Sequence, residues 1–292
     1  MKSDLSMNLS VGTANWDRTY GINKMNEISR KKITDLYKKM LELKIFDIDT
    51  AFAYGSSHTI LSELGSLDLL QITTKIPSEW VDNLDSIPQK LQHELERLKL
   101  GSFETILFHD SYSIINCSRN RLNSVMQEIL NKKICKRIGV SVYSPKEIGL
   151  ALKSSDLFSE FQFPINPLNQ AFKEYFQEFG NPKNFKLVAR SVFLQGLLTM
   201  PDSLYPKFFL DSQECQNWKF FLRVNNIKPE IACLKFVSNL EFVDKIVVGV
   251  NSSSQLENIA NVLSSKEKCT LNFSNLKSIN NQVIDPREWK YD

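Results

Sequence analysis

Eight short strand-like runs, each followed by a helical stretch, set the strongest limit on how this 292-residue chain can fold. The runs are LSVGTA (9–14), IFDIDTA (45–51), LLQITTK (69–75), ETILFHD (104–110), KRIGVSVY (136–143), EFQFPI (160–165), FKLVARS (185–191) and DKIVVGV (244–250). Several are continuous apolar runs, the pattern of strands covered on both faces. Strict β–α alternation asks for a parallel sheet, and eight repeats ask for closure into an α/β barrel of one domain, 1–292. An open doubly wound sheet is the runner-up, but no G-x-G-x-x-G turn follows the first run.

The intervening segments have helical period. Ile33, Leu36, Met40 and Leu43 fall at three- and four-residue steps, as do Leu84, Ile87, Leu91, Leu95 and Leu98. Ser144-Pro145-Lys146-Glu147 offers an N-cap serine, a proline at the first helical position and a glutamate at the third. Ser254-Gln255-Leu256-Glu257 repeats the capping-box logic. Residues 192–243 are too long for a simple crossover and hold two helical patterns, roughly 211–225 and 229–240. Long loops at the C-terminal face of a barrel usually serve ligands.

Composition narrows the partners. A formal charge of +3, from 36 Lys and Arg against 33 Asp and Glu, lacks the basic surplus that nucleic acid requires. No stretch approaches the ~18 consecutive apolar residues of a membrane span. The start, MKSDLSMNLSVG, has no apolar signal region, so the expected location is cytoplasmic. Cys117, Cys135, Cys215, Cys233 and Cys269 are widely spaced, without a C-x-x-C pair, and read as reduced buried thiols. With only His58, His93 and His109, no metal site is expected. The basic run 132–137 precedes the fifth strand and reads as a solvated stretch.

In a parallel barrel, side chains at the C-terminal strand ends converge on one mouth. Asp49, Lys75, His109, Ser141, Gln162 and Ser191 lie at those ends, and Tyr54 follows Asp49 closely. Three separate segments would thus bring an acid, an amine, an imidazole and a phenol together. A phenol, with a pKa of about 10, is a poor proton donor to a carbonyl near neutrality. Lowering that value by roughly two to three needs about 3–4 kcal/mol, which an ammonium ~4 Å away supplies under an effective dielectric of about 20. Asp49 is the counter-ion that keeps Lys75 charged, and His109 is placed either to hydrogen-bond an incoming carbonyl oxygen or to help relay its proton.

These segments resemble the aldo-keto reductase superfamily, NAD(P)H-dependent carbonyl reductases on a TIM (β/α)8 barrel, over nearly the whole chain. VGTANWDRTYGIN is similar to the family's first strand and loop. DIDTAFAYGSS resembles the D-T-A-x-x-Y-G signature, TTKIP the strand with the catalytic lysine, and ETILFHD the strand ending in the catalytic histidine. The resemblance implies a catalytic set of Tyr54, Asp49, Lys75 and His109, with Tyr54 the general acid that protonates a small-molecule aldehyde or ketone. It also implies NADPH or NADH as cofactor: Ser141 and Gln162 on the carboxamide, with Arg190 as a planar group beside the nicotinamide. Ser191, Phe193, Gln195 and Gly196 fall near the pyrophosphate, and Gly249, Asn251, Ser252, Gln255 and Asn258 near the adenosine phosphate.

Asn251 to Gln255 is neutral where many relatives carry Lys or Arg, which leaves both cofactors open. Val142 stands where an asparagine often follows the carboxamide serine, and His58 where the motif is usually acidic; His58 reads as a helix-start residue. Trp16, Phe52, Trp80 and Tyr112 are in mouth-side loops, either as an apolar substrate wall or as loop packing. Trp289 is placed to fold over the mouth. Two rival functions stand: a cofactor-binding regulatory barrel with weak turnover, and a Schiff-base lyase using Lys75.

Overall fold

The computed structural model describes residues 9–17, 28–180, 184–265 and 269–289. All eight runs become strands: β1 (Leu9–Gly12), β2 (Asp47–Asp49), β3 (Gln71–Ile76), β4 (Phe103–Phe108), β5 (Cys135–Ser141), β6 (Glu160–Pro164), β7 (Lys186–Arg190) and β8 (Lys245–Gly249). They pair in parallel in chain order and close, with β8 returning to β1 so that Gly12 stands level with Gly249. The expected (β/α)8 barrel is therefore the fold, and the open sheet is not. The part of the first-strand resemblance that falls on residues 18–23 lies outside the described residues.

Around the strands run α1 (Arg30–Glu42), α2 (Ser57–Glu63), α3 (Ile87–Leu98), α4 (Tyr112–Ile115), α5 (Arg119–Asn131), α6 (Pro145–Ser154), α7 (Ala171–Phe179), α8 (Lys207–Leu210), α9 (Gln213–Val224), α10 (Pro229–Ser238), α11 (Ser253–Ser264) and α12 (Asn281–Ile284). Among the described residues no helix is long and apolar enough to cross a membrane. The two helical patterns expected in the long interval are α9 and α10.

Local chemistry sets the helix ends. α1 buries Ile33, Leu36 and Met40 on one face, and Leu43 caps its end. α3 starts at Ile87, not Leu84, because Asn83 breaks the helical geometry (φ −128°) and Pro88 favours a first turn there. The Ser144–Glu147 capping box forms, with Ser144 N donating to Glu147 Oε1 at 3.0 Å. At α11 the cap is Ser252 instead of Ser254; its hydroxyl accepts from Gln255 N at 3.2 Å. A run of three serines before Gln255 makes either register chemically acceptable, and the earlier one gives the helix two more residues.

The barrel floor is charged. Asp47 on β2 and Lys245 on β8 form a buried ion pair. Glu160 on β6 accepts from Thr105 at 2.9 Å, with Lys186 at 3.9 Å. Burial pushes both the Asp47 and Glu160 carboxyls up, against the pull of Lys245 and Lys186. Part of the basic run 132–137 belongs to this layer: Lys136 (2.8 Å) and Arg137 both bind Glu104, so they are not simply solvated. At the centre of the wall, a Cβ on Gly139 would sit 2.1 Å from the Glu160 carbonyl oxygen, so only glycine permits β5 and β6 to pair this closely.

Candidate active site

The opposite end of the barrel holds a cavity of about 650 Å³, lined by the last residues of the strands, Gly12, Asp49, Ser141, Arg190 and Gly249 among them. Asp49, Tyr54, Lys75 and His109 all line it. Lys75, 1% exposed, donates to Asp49 Oδ1 and to the Thr50 carbonyl at 3.1 Å. The second Asp49 oxygen, Oδ2, accepts from Gln162 Nε2 at 2.7 Å. The carboxylate thus holds both the ammonium and the amide of Gln162 in place.

Tyr54 stands over this pair. Lys75 Nζ is 5.1 Å from its ring centroid, and the His109 ring meets it edge-on at 5.8 Å and 81°. The loop that carries it is fixed by local bonds: Tyr54 N donates to the Ala51 carbonyl, and Ser57 Oγ donates to the Tyr54 carbonyl at 2.7 Å. Gly55 next to it takes φ +57°, and a Cβ there would lie 2.3 Å from Asp17 Oδ2, whose carboxylate accepts from Ser56 N. His109 is held from the other side. Its backbone N–H donates to the Ile76 carbonyl at 3.0 Å, and two residues on, Ser111 Oγ donates to the buried Glu147 at 2.6 Å.

Ten of the residues assigned to a cofactor line the same cavity: Ser141, Gln162, Arg190, Ser191, Phe193, Gln195, Gly196, Gly249, Asn251 and Gln255. Ser252 and Asn258 do not; Ser252 is spent on the α11 cap, and Asn258 faces solvent. Gln162 is 1% exposed, and its Oε1 is buried without a hydrogen-bond partner. An orphaned buried acceptor of this kind, level with Ser141 on the neighbouring strand, fits a carboxamide N–H₂ donor. The loop after β7 has four left-handed residues in six: Ser191, Leu194, Gln195 and Gly196, at φ 55°, 48°, 51° and 90°. Strain of this density is characteristic of ligand-binding backbone.

The four mouth-side aromatics carry two readings, substrate wall or loop packing. Trp16 is fully buried in the core, Phe52 packs on Trp80 at 4.5 Å and on His58 at 4.7 Å, and Tyr112 is exposed on α4. None of them lines the cavity. Neither does Trp289, which packs on Phe208 at 5.6 Å and donates to the Val283 carbonyl. His58 is more than a helix-start residue: its two ring nitrogens lie 2.7 Å from Glu94 Oε1 and 3.1 Å from Thr74 Oγ1. Burial opposes the charge on Glu94, yet hydrogen bonds from His58 and Arg97 hold its carboxyl down at about 2.

The wall that the sequence did not reveal comes from the segment at 281–287. Asn281, Ile284, Asp285, Pro286 and Arg287 line the cavity. Tyr143 is gripped between two guanidinium groups, Arg287 at 3.6 Å and Arg190 at 4.2 Å from its ring centroid. Arg190 therefore stacks on Tyr143. Arg287 binds Asp285 through Nε and Nη2; burial raises the Asp285 carboxyl, and these bonds outweigh it and hold it below the usual range. Only the closeness of Tyr143 to Ser141 in one run could have drawn attention to it; nothing in the spacing of Asp285-Pro286-Arg287 signals this contact.

The profile of the Aldo/keto reductase family matches residues 8–281. Among solved structures, the chain is similar to the holo form of an aldo-keto reductase from Bacillus halodurans, at 17% identity over 89% of this chain and 87% of that one, with a TM-score of 0.70. It is also similar to a thermostable aldo-keto reductase in complex with the inhibitor epalrestat, at 17% identity over 89% and 90% of the two chains, with a TM-score of 0.68. At such identities the likeness of structure speaks to the fold. No curated protein sequence matches the chain.

Proposed function

This chain belongs to the aldo/keto reductase family, a family of oxidoreductases, and from that premise we propose that it reduces an aldehyde or ketone with NADPH or NADH. The observation that carries the reading is the placement of Lys75, bonded to Asp49 and 5.1 Å from the Tyr54 ring, with His109 against the same ring. A bound nicotinamide supplies the hydride. The remaining work belongs to the protein.

Tyr54 delivers the proton to the carbonyl oxygen as negative charge develops there. Lys75 favours the phenolate that results, and Asp49 holds the Lys75 amine in place by a buried hydrogen bond. His109 orients the carbonyl oxygen toward Tyr54. Ser141 and Gln162 hold the carboxamide, and the loop of Ser191, Phe193, Gln195 and Gly196, left-handed at all of these but Phe193, offers backbone to the pyrophosphate. Gly249, Asn251 and Gln255 line the same cavity, and Gln255 Oε1 accepts from Asn251 N at 2.8 Å.

The lyase alternative fares worse. A Schiff-base lysine must present a neutral amine to substrate, whereas Lys75 is 1% exposed and committed to Asp49. Titration with NADPH and NADH, followed by tryptophan fluorescence, tests the reading. Binding of at least one nucleotide is expected, with its oxidation when a panel of carbonyl compounds is added. Binding without turnover would favour the weak regulatory barrel, and no binding of either nucleotide would overturn both.

A further inference from the structure

We propose that Arg190 makes the cavity discriminate between oxidation states of the nucleotide, favouring the reduced form over the oxidised one. This rests on the reading of the cavity as a nicotinamide nucleotide site, and assigns to one side chain a preference that reading does not contain. Arg190 ends β7 and lines the cavity. Its guanidinium is immobilised: Nη2 donates to the Val142 carbonyl at 3.2 Å, Nη1 to Ser191 Oγ at 3.3 Å, and the plane lies on Tyr143. Among the described residues it forms no ion pair. The other two cavity cations are neutralised, Lys75 by Asp49 and Arg287 by Asp285. Asp285 feels the Arg190 charge, but both its oxygens are engaged by Arg287. Glu147, bonded to Tyr143 N, is buried and does not line the cavity.

Strand register relates Arg190 to the orphaned acceptor. Gln162 pairs with Val188, and Pro164 with Arg190. Two residues along a strand return to the same face about 6.6 Å further on, so Arg190 rises one side-chain layer nearer the mouth than Gln162. A carboxamide that satisfied Gln162 Oε1 would hang from a pyridine ring held within the cavity that Arg190 also lines. In the oxidised nucleotide the ring carries a full positive charge; in the reduced one it carries none. A fixed, unneutralised guanidinium raises the energy of the first alone. Two like charges about 7 Å apart under an effective dielectric of about 20 correspond to about fiftyfold in a dissociation constant. Solvent and salt beside a half-buried group bring this to about tenfold.

The test is calorimetric titration of NADH, NAD⁺, NADPH and NADP⁺ into the wild-type protein, Arg190→Leu, Arg190→Gln and Arg190→Lys. The wild-type protein should bind the reduced member of a pair about tenfold or more tighter than the oxidised member. Arg190→Leu and Arg190→Gln should narrow that ratio about five- to tenfold, chiefly by tighter binding of the oxidised form, and Arg190→Lys should retain most of it. Each ratio is taken within one preparation, so a loss of stability does not move it, and the glutamine variant serves if the leucine variant does not fold. A wild-type ratio near one, or a ratio that ignores the loss of charge, overturns the proposal while the reductase reading stands. Failure of every nucleotide to bind overturns both.

Discussion

The ammonium of Lys75 lies 5.1 Å from the centre of the Tyr54 ring, inside a cavity that also holds the edge of His109. The same ammonium donates to Asp49, so the phenol, the amine and the carboxylate form one connected group. Tyr54→Phe should lower kcat by about 10³-fold, within the range of a lost general acid, and change the nucleotide dissociation constant by less than about twofold. Steady-state kinetics with fluorescence titration measure both. A kcat within tenfold of wild type would take the proton transfer away from this residue.

Asp49 carries two partners, Lys75 and Gln162. Asp49→Asn leaves an ammonium that is 1% exposed without its counter-charge, a change that costs about 3–5 kcal/mol in buried pairs. Urea unfolding should show that loss. The double variant Asp49→Asn/Lys75→Met should recover part of it, since the stranded charge is then gone. Equal stability of the single and double variants would mean that Lys75 is not held by this carboxylate.

The Glu94 carboxyl stands at about 2, below its ordinary value near 4.3, because His58 and Arg97 hydrogen-bond its charged form. A depressed folded-state value contributes stability above the unfolded value, which is lost as pH falls from about 5 toward 2. The contribution is roughly 2 kcal/mol at neutrality, after allowance for partial solvent access. Glu94→Gln should therefore be less stable than wild type by about that amount at about pH 7, and the gap should close toward about pH 2. A gap that does not depend on pH would assign the loss to packing.

Two glycines separate backbone need from mere smallness. At Gly139 a Cβ would fall 2.1 Å from a strand carbonyl, whereas at Gly149, on the exposed face of α6, it would meet nothing within 4 Å. Gly139→Ala should destabilise by about 4 kcal/mol or prevent folding, and Gly149→Ala should stabilise by about 0.5–1 kcal/mol. Thermal melts compare them directly.

The barrel was legible because each strand is a short run buried on both faces, which leaves a compact apolar signature between amphipathic helices. The order Asp49, Tyr54, Lys75, His109 was legible because consecutive strand ends deliver it. The charged floor was not: Asp47 and Lys245 are 198 residues apart, and each alone looks like an ordinary strand-end charge. An aromatic in a loop reads equally well as wall or as packing, and only coordinates separate Trp16, sealed in the core, from Tyr143, which faces the cavity. At α11 consecutive serines offered several acceptable caps, and helix length decided between them.

The wall contributed by 281–287 divides the chamber into a part the barrel makes and a part it borrows. Lys75 is tied to Asp49 and to the Thr50 carbonyl, and Gln162 to Asp49, by bonds that do not involve that segment, whereas Asp285 and Arg287 close one side of the chamber and Arg287 braces Tyr143. Excision of 281–287 would therefore leave a barrel with its reactive groups in place and one side open to water.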